Sequence, residues 1–427
     1  MQSTSTKRHV ADVPGVAPES LLVLRCAKTT LTEADRVEVE KLLSRSLDWD
    51  RSLKLARRHR ILSLLYLNLN RIGSPAVPAA MLAELRGQFM KNTARSLQLS
   101  GELLRLLIVF ETHGIPVAPF KGVVLASSVY GDPALRDSGD IDLLVHRSDI
   151  VRAADLLVSL GHRPFYPTAS TEEAAYLSSL QGGRRAAYLQ YHGEHHLVRE
   201  DGLLNVDLHW QVSHRAISRG LDTKTLWSGL SSIVLGGRTI RTFGPEHMLL
   251  VLCDNGAKDG WSRLDRVCDV AELLRRNPKL GWNEVLATAR QIGAERMLLL
   301  GLELAESLLD APLPNEIRER LRNDPVVAAQ AAQIRAQLVD QDGPDDGKLS
   351  LSLLHFQLAD SWKGRLRYCQ MQLRSNVGEW MLVPLPSRLW FLYCVIRPVR
   401  LLSRFLVNRV RRGGRHSQAL PKTPGRT

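Results

Sequence analysis

The sequence predicts an α+β protein, a small mixed β-sheet flanked by helical N- and C-terminal regions. Three observations predict it. Apolar residues recur at helical spacing through residues 20–113. Short apolar runs then follow in the order β-α-β-α-β-β, separated by turn signals. Helical texture returns from Pro245. A chain of 427 residues that is 44% apolar and 24% charged can bury a sizeable core in two or three domains, which excludes a collagen-like or fully disordered polymer.

Residues 1–19 are polar, with Lys7 and Arg8 followed by no apolar stretch, so a flexible N-terminus without a secretory signal is expected. Leu42, Leu43, Leu47, Leu55, Leu62, Leu65 and Leu67 set a helical rhythm in which Asp48 or Asp50 can act as a cap. Pro75 and Pro78 break it, and a long helix is expected from about Ala79 to His113, stopped by Gly114. Ile115 to Phe120 reads as a strand ended by Lys121-Gly122, Val123 to Tyr130 as a helix, and Gly131-Asp132-Pro133 as a turn. Ile141 to Val145 is a second strand, and Ser148 can cap a helix reaching Leu160. Glu194 to Arg199 and Leu203 to Val212 complete the set, joined at Glu200-Asp201-Gly202. The expected organisation is a flexible 1–19, a helical 20–113, a sheet core 114–244 and a helical 245–350. A basic amphipathic segment 351–412 and a disordered tail 413–427 follow.

The net charge of +13 is local. Residues 361–427 hold fourteen Lys/Arg against the single acid Glu379, so residues 1–360 balance. The basicity describes an appendage, and no basic and aromatic strand pattern of an RNA module accompanies it, so sequence-specific nucleic-acid recognition is not expected. Within it, Leu389 to Ile396 is eight apolar residues between arginines, too short for a bilayer core of about 30 Å. The 387–412 segment suits an anionic membrane surface, a protein partner or the protein's own body. Five cysteines without CxxC spacing read as reduced thiols in a cytoplasmic protein, peripheral at most to the inner face of the membrane.

The informative stretch is Lys121-Gly122, then Arg136, then Gly139-Asp140-Ile141-Asp142-Leu143-Leu144-Val145. Alternation on a strand puts Asp140 and Asp142 on one face and Ile141 and Leu143 on the other. Neighbouring carboxylates repel unless a divalent cation sits between them, and Mg²⁺ takes carboxylate oxygens together with substrate phosphates. Asp207, in the run Leu203 to Trp210, can complete a three-carboxylate cluster if its strand neighbours Ile141 to Val145. The reading is a metal-dependent phosphoryl or nucleotidyl transfer site.

These residues resemble the nucleotidyltransferase superfamily with the DNA polymerase β-like fold. More narrowly, they are similar to a bacterial family of uncharacterised nucleotidyltransferases whose core runs Lys-Gly, Arg, Gly-Asp-Ile-Asp-Leu-Leu-Val and Asp-Leu-His-Trp. The likeness extends over roughly 45–310, taking in Asp48-Trp49 through His59-Arg60 and Gly256-Ala257-Lys258 through Asp269-Val270-Ala271. It implies that Asp140, Asp142 and Asp207 hold Mg²⁺ or Mn²⁺, with Asp207 the third ligand or the base for the acceptor. It further implies that Lys121, Gly122, Arg136 and Gly139 bind an NTP such as ATP, the helix after Gly122 offering free N–H groups to phosphate. An acceptor would attack the α-phosphorus and release pyrophosphate. One departure stands out: the family often shows His-Gly-Ala-Lys-His where this chain has Asn255-Gly256-Ala257-Lys258-Asp259.

Blander readings remain open on the residues alone. Asp140 and Asp142 can be solvated acids at a turn, Asp207 can bond a neighbouring backbone N–H, and Lys121 and Arg136 can make surface ion pairs. Lys258 and Asp269 can line the acceptor side or be polar helix faces. His195 and His196 point to opposite faces of a strand, and either is a candidate to line the site. His209 reads as structural beside Trp210. Two other functions compete: a non-catalytic NTP-binding adaptor of the same fold, and a metallohydrolase built on His195, His196, Asp207 and His209.

Overall fold

A computed structural model describes residues 16–166, 171–182, 185, 193–212, 218–339, 347–372, 383, 392 and 395–400. Residues 1–15, the tail 413–427, His192, His214, Cys394 and most of the 387–412 segment lie outside the described residues. The chain divides into two compact units, residues 1–166 with 181–365, and residues 167–180 with 366–427.

The first unit opens with five helices, α1 Pro18–Arg25, α2 Glu33–Leu43, α3 Trp49–Arg58, α4 Leu62–Ile72 and α5 Ala79–Thr112. Their starts follow capping chemistry. Thr32 and Asp35 form a reciprocal capping box for α2, and the Asp48 side chain accepts the Arg51 N–H at the start of α3. Gly73 ends α4 in the left-handed conformation, and α5 spans the residues expected of the long helix.

The sheet follows. Strand β1 (Val117–Pro119) leads into α6 (Gly122–Leu125), a π turn over Ala126–Tyr130 and a 3₁₀ turn over Pro133–Leu135. Strand β2 (Asp140–Val145), α7 (Ile150–Ser159) and β3 (His162–Pro164) come next. After α8 (Thr171–Ser179), which belongs to the second unit, β4 (Glu194–Arg199) and β5 (Asn205–His209) complete a five-stranded sheet ordered β1-β2-β5-β4-β3. Only β2 and β5 pair in parallel; the remaining neighbours are antiparallel. The sheet is therefore mixed, as the element order predicts. The expected helix over Val123 to Tyr130 is α-helical only in its first part, and the expected strand Leu203 to Val212 is shorter.

Helix α9 (Thr223–Ser228) precedes a hairpin of β6 (Leu230–Leu235) and β7 (Arg238–Phe243) that the sequence reading did not include. Its two-residue turn is Gly236-Gly237, both at positive φ, the backbone that twists a tight hairpin correctly. The helical part follows as α10 (Pro245–Lys258), α11 (Leu264–Arg276), α12 (Trp282–Ile292), α13 (Glu295–Leu309), α14 (Asn315–Asn323), α15 (Pro325–Val339), α16 (Gly347–Leu358) and α17 (Trp362–Gln372). Cys253 and Cys268 are buried free thiols in this part. Among the described residues no helix is long and apolar enough to cross a membrane.

Helix α11 is held at its start by the distant lead-in. The His59 ring Nδ1 accepts the Leu264 N–H at 3.3 Å, and the His59 carbonyl accepts the Asp265 N–H at 3.2 Å. That geometry needs a neutral ring, since a cation there would face the positive end of the helix dipole. Burial, reinforced by Arg58, lowers the His59 imidazole to about 4. The unfolded chain therefore takes up a proton that the folded one refuses as pH falls from about 6.5 to about 4. Stability is full above that window and declines through it, by up to about 3 kcal/mol. Urea titrations at pH 7 and pH 4 are expected to show this decline, and His59→Gln to flatten it. An unchanged pH slope in the variant would remove His59 from the account.

Candidate active site

Three adjacent strands place their polar residues on one face. In the parallel pair, Asp140 stands opposite Asn205, Asp142 opposite Asp207 and Leu144 opposite His209. In the antiparallel pair, Glu194 stands opposite His209 and His196 opposite Asp207. Residues in register on neighbouring strands share a face, and the side-chain period of two keeps Asp140 with Asp142, Asp207 with His209 and Glu194 with His196. Ile141, Leu143, Val206, Leu208 and Leu197 take the opposite face and are fully or almost fully buried. His195 goes with them, so strand geometry does not bring His195 together with His196, Asp207 and His209 as the metallohydrolase reading requires.

The turn between β1 and α6 delivers Lys121 to this face. Gly122 sits at φ +55°, and a Cβ there would lie 2.7 Å from the Asp140 backbone oxygen. Only glycine lets the turn pass this close to the first residue of β2. The turn brings Lys121 Nζ to 2.8 Å from Asp142 Oδ1. The same oxygen of Asp142 accepts from His209 Nε2, at 2.9 Å. His196 Nδ1 lies 2.8 Å from Asp207 Oδ1, and Lys258 Nζ at the end of α10 lies 3.3 Å from Glu194 Oε1.

These charges set the protonation of the cluster. The negative charge of Asp142, then burial, then Asp207, push the Asp140 carboxyl up to about 6. Burial also pushes Asp142 upward, but Lys121 and His209 outweigh it and hold this carboxyl well below the usual range. Burial works against the Lys121 ammonium, yet Asp142 and Asp140 raise its pKa. His196 is likewise raised by Asp207 against the opposing effect of burial. The face thus carries countercharges of its own, Lys121 against Asp142 and Lys258 against Glu194.

Arg136 is placed differently from its expected phosphate contact. Its guanidinium lies in the interior, donating to Asp269 on α11 from Nε at 2.8 Å and Nη2 at 2.9 Å. The Tyr130 hydroxyl donates to the same carboxylate at 2.7 Å, and Arg136 Nη1 reaches Ser138 Oγ at 3.3 Å. Helix α5 grips the same segment: Asn92 donates to the carbonyls of Ala134 and Arg136, and Arg95 to those of Ser138 and Gly139. The stretch leading into Asp140 is thus clamped between two helices, and Asp269, read from sequence as a cleft or surface residue, is 1% exposed.

A divalent ion has donors here. Asp142, Asp207 and His209 each offer a ligand atom, and these atoms lie within 4.8 Å of one another. Two carboxylates with one imidazole form a set of mixed oxygen and nitrogen donors that divalent cations accept. Asp140 lies outside this group, at the first position of β2, and His209 joins it. From its neighbour Trp210 alone His209 reads as structural, although its spacing of two from Asp207 signals a shared face. Glu194, which it did not single out, bears the same spacing to His196.

A family model for uncharacterised nucleotidyltransferases matches residues 45–310. Among solved structures, the crystal structure of an antigenic nucleotidyltransferase-like protein from Paracoccidioides brasiliensis is similar at 16% identity with a TM-score of 0.26, over 46% of this chain and 87% of that one. No curated protein matches the chain. The match to the family model spans the helical lead-in, the clamped strand entrance, the carboxylate face and the helices that carry Lys258 and Asp269, and the chain belongs to the family of uncharacterised nucleotidyltransferases.

Proposed function

We propose that the protein transfers a nucleoside monophosphate from an NTP to a hydroxyl or phosphate acceptor, using Mg²⁺ or Mn²⁺. The observation that carries this reading is the register of Asp142 against Asp207 on parallel neighbours, with Lys121 and Gly122 at the edge of the same face. Asp142, Asp207 and His209, with Asp140 beside them, would hold a divalent ion, which would supply positive charge to the phosphates. Lys121 moves from Asp142 to phosphate when the nucleotide arrives, and the backbone at Gly122 lets the triphosphate approach closely. An acceptor oxygen forms a bond to the α-phosphorus as the bond to the bridging oxygen breaks. Pyrophosphate leaves with that electron pair, and Asp207 takes the acceptor proton. The charge balance of residues 1–360 favours a small molecule, sugar or peptide product as acceptor over a nucleic-acid primer. The positive excess in 361–427 fits attachment to an anionic membrane surface or a partner at the cytoplasmic face.

Calorimetry of ATP binding with and without Mg²⁺ tests the site. Wild type is expected to bind in a metal-dependent way, and Asp142→Asn to weaken that binding by roughly 100-fold, in line with the loss of metal-site residues. A thermal melt of the variant checks that it is folded. Equal affinity in the folded variant would displace the metal from this face.

A further inference from the structure

Of the two cations that the family resemblance assigns to phosphate, Arg136 is paired with Asp269 and Lys121 with Asp142. A third cation stands at the same edge of the sheet. Arg266 lies on α11 one turn before Asp269, and residues three apart share a helix face. Asp269 is the residue that fastens this helix to Arg136 and so to the entrance of β2. Arg266 therefore shares the face that Asp269 turns toward Arg136, and its charge acts on both Lys121 and Arg136.

Its guanidinium is only partly engaged. Nη2 donates to Asp259 Oδ2 at 2.9 Å, across the turn between α10 and α11. Nε is sealed from water and has no hydrogen-bond partner among the described residues. The side chain keeps 21% of its surface accessible, and Asp259 is more exposed still at 36%. A pair this open is weakly held, whereas a planar guanidinium offers a fork that suits phosphate oxygens. Lys258, directly before Asp259, reaches the other side of the carboxylate face through Glu194. Helices α10 and α11 thus each carry a cation near the turn that joins them, Lys258 paired with Glu194 and Arg266 with Asp259.

We propose that Arg266 is a binding residue for the terminal phosphates of the NTP, exchanging Asp259 for them when the nucleotide is seated. The inference rests on the nucleotidyl-transfer reading of the carboxylate face. It concerns the β- and γ-phosphates, which a nucleoside monophosphate lacks, and this difference gives the test its control.

The full chain is titrated with ATP and with AMP in the presence of Mg²⁺, as wild type, Arg266→Met and Asp259→Asn. Arg266→Met is expected to weaken ATP binding by roughly 10-fold to 100-fold while leaving AMP affinity unchanged. Asp259→Asn, which frees the guanidinium and removes an acid, is expected to tighten ATP binding with no change for AMP. ATP affinity unaltered by Arg266→Met, or AMP affinity lost in parallel, would overturn the assignment and leave the carboxylate site standing. Failure of wild type to bind ATP at all would overturn the underlying reading as well. Should Arg266→Met fail to fold, Arg266→Lys keeps the charge without the fork, and a several-fold loss confined to ATP is then expected; equal ATP affinity in that variant overturns the proposal.

Discussion

Arg136→Met is expected to lower the unfolding free energy by about 3–5 kcal/mol, the usual consequence of removing one partner from a buried ion pair. Asp269 is 1% exposed and receives two hydrogen bonds from Arg136 and one from Tyr130. Without the guanidinium, a carboxylate remains in the interior with the Tyr130 hydroxyl as its hydrogen-bond donor. The pair itself need not be strongly stabilising, because desolvating two charges offsets most of their attraction. A double variant, Arg136→Met with Asp269→Leu, should therefore recover much of the loss. Urea denaturation of the wild type, the two single variants and the double variant measures this directly. A single-variant loss below about 1 kcal/mol would mean that the pair behaves as a surface contact.

Gly122→Ala is expected to reduce ATP binding by roughly 100-fold or more, because small displacements of a binding constellation carry costs of that order. Alanine at φ +55° is strained by about 1 kcal/mol. The larger effect comes from the 2.7 Å approach of its Cβ to the Asp140 carbonyl oxygen, a backbone atom in the strand ladder that cannot rotate away. Relief requires the turn to retreat from β2, carrying Lys121 away from Asp142. Thermal melting separates this local displacement from global unfolding. A variant that is folded and binds ATP like wild type would show that the close approach has no part in the site.

The sheet core was largely legible because its signals are local. The alternation in Asp140-Ile141-Asp142-Leu143 identifies a strand with one polar face, and Asp48 announces the start of α3 through its own side chain. Partner choice was less legible. That Asp142 faces Asp207 depends on β2 and β5 pairing in parallel across some sixty intervening residues, which no short pattern encodes. Arg136 illustrates the same limit from the other side. An arginine before a carboxylate strand suits phosphate as well as a distant Asp269, and the packing of α11 decides between them. The hairpin over Leu230–Phe243 was a different omission. Gly236-Gly237 is a recognisable turn, but Leu230, Ser231 and Ser232 lack the apolar alternation that draws attention to a strand.

Helix α11 is fastened at its start by His59, from before the sheet, and in its first turns by Arg136, from within it. Segments far apart in the gene thus share one set of side-chain choices. A recombination that joins the strand entrance of one relative to the following helix of another breaks the charge pair or the helix cap wherever the two differ at His59, Arg136 or Asp269. A hybrid broken in this way starts with a folding defect. Changes that leave these couplings whole, such as those in the exposed turn between α10 and α11, carry no such cost, while the lead-in, the strand entrance and the helix are tied together through their side chains.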